Sequence, residues 1–512
     1  MLSVVYTAGL NGIDGYPVTV ECNCVNSIPG FEIVGLPDAS IKESKERIKA
    51  AVTNSGFLFP SYMLTVNLAP ADKKKEGSSY DLAIAASILS ACEIITPMAQ
   101  LENCCFLGEL SLSGEIRHVR GVLSLCTCAK ANGKTEIFVP CDNASEAAVV
   151  DGVNIYPVKT LQDLVIHLNT NKKIPRATFD REAFQQAFLT SSVDFCDVKG
   201  QEKAKSALEI AAVGSHNILL IGPPGSGKSM LAKRLSTILP PLSFDEAIET
   251  TKIHSIAGTL PANVSLITQR PFRSPHHTMS GVGLSGGGRV PTPGEISLAN
   301  NGVLFLDELP EFGRSALEIL RQPREDGEVT ITRVNGKITF PCRFMLVCAM
   351  NPCKCGYFGS RTKRCSCSDG DLKKYLARIS GPLLDRMDIQ VEMPEVNYEE
   401  LSSDRCGESS LVIRQRVQQA REFAKERHKA LGIHSNSQLS PTQIRQCCPL
   451  SDNAKVLLKK AFDTMGLSAR GFDRIQRVAR SIADIDKSEV INEYHMAHAV
   501  SMRSLDRKYW HK

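Results

Sequence analysis

The stretch Ile218-Leu219-Leu220-Ile221-Gly222-Pro223-Pro224-Gly225-Ser226-Gly227-Lys228-Ser229 reads as a buried apolar strand running straight into a glycine-rich turn. Gly222, Gly227, Lys228 and Ser229 meet the pattern G-x-x-x-x-G-K-[ST]. A loop built from Gly222, Pro223, Pro224, Gly225, Ser226 and Gly227 turns backbone N–H groups inward around α- and β-phosphates. Lys228 then reaches the β/γ-phosphates and Ser229 offers a hydroxyl to Mg2+. A helix opening at Ser229 adds its positive dipole end. The expected ligands are ATP and Mg2+.

The other half of such a site lies downstream. Gly302-Val303-Leu304-Phe305-Leu306-Asp307-Glu308 is a continuous apolar run, as for a strand covered on both faces, ending in two carboxylates. Asp307 is expected to hold the Mg2+ that Ser229 also binds. Glu308 is expected to polarise a water for attack on the γ-phosphate.

With 512 residues, 43% hydrophobic and 22% charged, the chain has the composition of about three soluble domains. No apolar run approaches the roughly 18 residues of a membrane span. Met1-Leu2-Ser3-Val4-Val5-Tyr6 lacks a basic n-region and a long apolar h-region, so no signal peptide is expected and the cytoplasm is the expected compartment. A net charge of +5 neither requires nor excludes nucleic acid. The basic clusters Lys73-Lys74-Lys75, Arg361 to Arg364, and Arg470, Arg474, Arg477 and Arg480 read either as solvated faces or as contacts to a polyanion.

Residues 1–170 alternate short strands (Pro17–Cys24, Tyr62–Leu68) with helices (Ile41–Ser55, Tyr80–Ser90), residues 171–192 read as a polar linker, and 193–395 form the nucleotide-binding unit. Within that unit Phe344-Met345-Leu346-Val347-Cys348-Ala349 is again wholly apolar, so a mostly parallel sheet is expected. Residues 396–512 read as helical. The fold class expected is α/β and multidomain, with a P-loop core and a C-terminal helical lid.

Longer motifs carry a resemblance. Phe31-Glu32-Ile33-Val34-Gly35-Leu36-Pro37-Asp38, Val66-Asn67-Leu68-Ala69-Pro70-Ala71-Asp72, Arg273-Ser274-Pro275-His276-His277, Pro293-Gly294-Glu295-Ile296-Ser297-Leu298-Ala299 and Ser380-Gly381-Pro382-Leu383-Leu384-Asp385-Arg386 are similar to those of the ComM/YifB family of magnesium-chelatase-like AAA+ ATPases, from residue 1 to about 507. The resemblance implies a hexameric ring that hydrolyses ATP and works on single-stranded or branched DNA, as a branch-migration helicase in natural transformation. It puts Asn351 at sensor 1, beside the attacking water. It puts Arg386 at the arginine finger that reaches a neighbouring subunit, with Arg378 as the competing choice, and Arg470 at sensor 2 in the lid.

Three segments bear on a DNA partner or a metal. Val329 to Phe340 alternates around Asn335-Gly336, a strong hairpin signal, with Arg333 and Lys337 near its tip. It reads equally as structural or DNA-reading. The glycine-rich Ser280 to Arg289 reads as a mobile insert loop, and the neighbouring His276 and His277 read as packed or capping residues rather than as metal ligands or a base. Cys353, Cys355, Cys365 and Cys367 form two C-x-C pairs across a short basic loop. Four thiolates suit tetrahedral Zn2+, although structural sites prefer C-x₂₋₄-C; free thiols and a redox role stand as alternatives.

Lys75 to Leu82 and Phe106 to Glu115 resemble the proteolytic domain of Lon, of the ribosomal S5 domain 2-like type. Ser79 falls where the nucleophile would be, but Leu123 falls where its activating lysine would be, and Lys130 and Lys134 lie elsewhere. Leucine cannot take the serine proton, so no peptidase is expected. The rivals to a DNA motor are a chelatase-type ATPase that remodels a protein partner, and an ATP-switched scaffold.

Overall fold

The computed structural model describes residues 1–512 apart from 97–100, 187–192, 262–263, 289–290, 334–335, 361–362, 403–406, 504, 506–508 and 511–512. The sequence between Phe195 and Glu392 builds a five-stranded parallel sheet in the order Phe272–Arg273, Val303–Leu306, Met345–Met350, Ile218–Ile221, Ile389–Glu392. Every residue of the three central strands is buried, which is why they read as unbroken apolar runs rather than as alternations. The strand Met345–Met350 inserts between the phosphate-loop strand and the strand that ends in Asp307 and Glu308. Its C-terminal end therefore brings Asn351 between the two motifs, at the carboxyl edge where open parallel sheets bind ligands.

The amino-terminal residues build two smaller sheets besides the short antiparallel pair Glu109–Leu110 and Ile116–Arg117. One has the order Leu2–Asn11, Asp14–Val25, Met63–Ala69, Gly30–Val34; the other is parallel, in the order Cys104–Phe106, Glu136–Pro140, Asn154–Val158. Helices Ala39–Asn54 and Asp81–Ala91 cover the first and share a core with it. Ser79 stands just ahead of the second of these helices, while Leu123 is buried in the first turn of helix Val122–Ala131.

The segment expected to be a linker, 171–192, is packed at its described residues. Ala177 N donates to Ile155 O (2.9 Å), and the rings of Phe179 and Phe184 meet Phe244 of helix Phe244–Ala257. That helix also touches the amino-terminal part, where Gly121 N donates to Ser255 Oγ at 2.9 Å.

After Glu392 the chain is helical, with Ser410–Leu431, Pro441–Cys447, Asp452–Met465, Ala469–Ile485 and Glu493–Ser501. Helix Ala469–Ile485 is tied to the sheet through a buried pair, Arg474 Nε to Asp388 Oδ1 at 3.3 Å. None of the described helices is long and apolar enough to cross a membrane.

The Asn-Gly signal gives a hairpin, Glu328–Arg333 against Gly336–Pro341, whose tip at 334–335 lies outside the described residues. Val329, Ile331 and Phe340 are buried at its base, and Lys337 is exposed. The glycine-rich stretch differs from the expected loop. Ser280 caps a short helix, Gly281–Ser285, and Gly286–Gly287 pairs with Thr292–Pro293. A side chain at Gly294 would meet Gly286 N at 2.2 Å, so the glycines here serve close backbone approach.

Candidate nucleotide site

The phosphate loop is held from both sides. Gly222 N donates to Met350 O (3.2 Å), and Gln201 Nε2 donates to Ser226 O (3.2 Å) and Pro394 O (2.7 Å). Gly225 and Gly227 take φ of +80° and +87°, values at which a side chain is strained. Helix Lys228–Ile238 starts directly from Gly227, so its first N–H groups face the loop.

Five residues meet at this edge. Ser229 Oγ donates to Asp307 Oδ2 at 2.5 Å, and Glu308 N donates to Asp307 Oδ1 at 2.9 Å. Lys228 is 8% exposed, and its Nζ donates to Gly222 O (2.8 Å), Pro223 O (2.9 Å) and Asn351 Oδ1 (3.2 Å). Burial pushes the Lys228 ammonium below its ordinary pKa, against the pull of Asp307. Glu308 adopts a left-handed φ of +53°, a strained setting for a side chain that leaves its carboxylate more than half exposed. A hydroxyl beside a carboxylate is an oxygen donor set that fits Mg2+, and the loop fits a triphosphate.

His277 brings what sequence reasoning missed. Its Nδ1 lies 3.1 Å from Glu308 Oε2, and its ring lies against His276 with centroids 4.1 Å apart and planes tilted by 33°. His276 is exposed rather than packed, and its Nδ1 meets Thr278 Oγ1 at 2.9 Å, whereas His277 touches the carboxylate after the neighbouring strand. Behind it Arg273 grips Glu295 in a two-pronged pair of 2.7 and 2.6 Å, joining two of the longer motifs.

The three arginines stand differently. Arg386 is held within the chain: its guanidinium pairs with Glu325 and donates to Pro382 O (2.9 Å), and its side chain is only 12% exposed. Arg378 is 52% exposed and pairs with Glu311 at 2.7 Å. Arg470 is exposed in the first turn of helix Ala469–Ile485.

Cys353, Cys355, Cys365 and Cys367 converge, with all four sulfurs within 4.8 Å of one another. Cys353 to Cys355, Cys355 to Cys365 and Cys353 to Cys365 measure 3.3, 3.5 and 3.7 Å. Sulfurs bound to tetrahedral zinc at about 2.3 Å stand about 3.8 Å apart, so the cluster fits that ion. Against the cost of burial, N–H donors from Tyr357 and Ser366 and the thiols of Cys353 and Cys365 draw the Cys355 thiol down to about 5.

A glycine-rich loop on a parallel sheet, with a strand inserted between the loop's strand and the strand before the acidic pair, defines a P-loop protein of the AAA+ class. The family described as Magnesium chelatase, subunit ChlI matches residues 194–401; Subunit ChlI of Mg-chelatase matches 20–143, and its C-terminal family matches 407–503. The chain is 42% identical over 509 residues to Competence protein ComM of Haemophilus influenzae, covering 99% of this chain and 98% of that one. It is 42% identical over 511 residues to Uncharacterized protein YifB of Escherichia coli, covering 100% and 98%. The Magnesium-chelatase 38 kDa subunit of Rhodobacter capsulatus is 27% identical over 218 residues, covering 39% of this chain and 55% of that one. The chain belongs to the ComM/YifB family of magnesium-chelatase-like AAA+ proteins.

Proposed function

We propose that this protein is a Mg-dependent ATPase that assembles as a ring, a hexamer, and translocates on single-stranded or branched DNA. The observation that carries the ATPase is the meeting of Lys228, Ser229, Asp307, Asn351 and Glu308 at one sheet edge. Gly222 to Gly227 cradle the phosphates and Lys228 binds the β/γ oxygens. Ser229 and Asp307 would hold Mg2+, which supplies charge neutralisation when bound. Asn351 orients the attacking water and Glu308 takes its proton. Arg386, or Arg378, completes a neighbour's site, and Arg470 closes from the lid; Arg386 must leave Glu325 to do so.

In this reading 1–170 is a Lon-like domain without the dyad, 171–192 a linker, 193–395 the ATPase core and 396–512 the lid. The four-cysteine cluster takes structural Zn2+. In this reading the compartment is the cytoplasm.

The DNA substrate is supported by the likeness to a competence protein along the full chain, and by the hairpin bearing Arg333 and Lys337. The test is the ATPase rate with and without single-stranded and forked DNA at low salt; stimulation is expected. An unchanged rate would favour the second reading, a chelatase-type ATPase that remodels a protein partner, which the shorter match to the magnesium-chelatase subunit supports.

A further inference from the structure

The cysteine cluster does not stand apart from the nucleotide loop. Its first thiol, Cys353, comes two residues after Asn351, whose Oδ1 accepts from Lys228. Gly356 N closes a turn onto Cys353 O at 3.0 Å, with Gly356 at a φ of +88°. The outer face of that turn rests on the phosphate loop: a Cβ added at Gly356 would meet Pro224 Cδ at 2.6 Å and Cγ at 2.9 Å. The backbone around the thiols and the proline of the loop are therefore in direct contact, with no room for a side chain between them. Phe358 N also donates to Cys353 Sγ at 3.3 Å, so the sulfur that would bind metal organises the same turn.

The geometry points to a thermodynamic coupling between the two sites: a thiophilic divalent cation bound by Cys353, Cys355, Cys365 and Cys367 braces the turn that supports Pro224, and so strengthens nucleotide binding. The coupling rests on the zinc and ATP readings above and goes beyond a structural role for the metal. A metal that fixes four sulfurs removes the freedom of the Cys353–Gly356 turn. The phosphate loop then meets its ligand already ordered on one side, and less ordering remains to oppose binding. Coupling is reciprocal, so bound nucleotide must raise the affinity for the metal by the same factor.

The test uses the full chain, with Zn2+ and a fluorescent ATP analogue as probes and Mg2+ held in excess. Zinc is measured by elemental analysis and stripped with a thiophilic chelator that spares Mg2+. Stripping should raise the Kd for the analogue about fivefold or more, and re-added Zn2+ should restore it. The analogue should slow zinc release, a readout independent of turnover. Gly356→Ala should keep its zinc yet bind the analogue more weakly, because the added methyl displaces Pro224. Zinc that binds and leaves without changing the Kd would overturn the coupling while sparing the zinc reading. A chain that takes no zinc would overturn both, and a zinc-loaded chain that binds no analogue would overturn the ATP reading beneath it.

Discussion

His277 Nδ1 and Glu308 Oε2 stand 3.1 Å apart, joining the segment after strand Phe272–Arg273 to the carboxylate after strand Val303–Leu306. The imidazole thereby fixes where the exposed carboxylate points, and its own ring is steadied by His276 and by Phe312.

His277→Ala should therefore leave nucleotide affinity near the wild-type value and lower turnover about tenfold, part of what a positioned base contributes. Steady-state kinetics checks it: kcat falls while the Kd for ATP holds. A rise in Kd with kcat intact would mean that His277 supports binding instead.

Mixing tests the arginines. Rings formed from Arg386→Ala and Lys228→Ala chains should recover ATPase that neither parent shows, because some interfaces pair an intact loop with an intact finger. Recovery with Arg378→Ala in place of Arg386→Ala would give the role to Arg378. Glu325→Gln, which frees Arg386 from its partner in the same chain, should retain activity.

How much of this was legible in the sequence follows from how local each feature is. The phosphate loop and the acidic pair were readable because their chemistry is fixed by spacing within a few residues, and the central strands because burial on both faces makes them wholly apolar. The hairpin at 328–341 was readable from Asn335-Gly336, since two residues of that kind fix both turn and register. The His277–Glu308 contact was not, because it depends on which strands are neighbours. Nor was the Arg386–Glu325 pair, which joins residues far apart in the chain. Ser280 to Gly287 looked like a loop because glycine signals freedom in sequence, whereas here it permits backbone contact with Gly294.

Asp388 should be a pillar of stability. It accepts from Asn217 N at 3.0 Å and pairs with Arg474 at 3.3 Å, joining the parallel sheet to helix Ala469–Ile485. Burial alone would raise its carboxyl, but His216, Arg474 and the Asn217 N–H outweigh that and hold it below the usual carboxylate range. A carboxyl depressed on folding stabilises above its unfolded value of about 4 and loses that contribution as pH falls toward the folded value. Asp388→Asn should cost about 3 kcal/mol at neutral pH, since it leaves Arg474 buried without its partner. Thermal melts should show the gap to wild type narrowing only below about pH 4.

The hairpin carries the substrate prediction. Changing Arg333 and Lys337 together to Ala should weaken DNA stimulation and flatten its salt dependence, because each lost phosphate contact removes about one released counterion. Basal hydrolysis should stay near wild type. If basal and stimulated rates fell together, the hairpin would be a structural element.

That Glu308 activates water at a site Lys228 and Ser229 build for ATP is tested most directly by Glu308→Gln. The purified variant should bind ATP with wild-type affinity and lose turnover by a factor of about 100 or more, the usual worth of a positioned general base. Wild-type turnover in Glu308→Gln would contradict it.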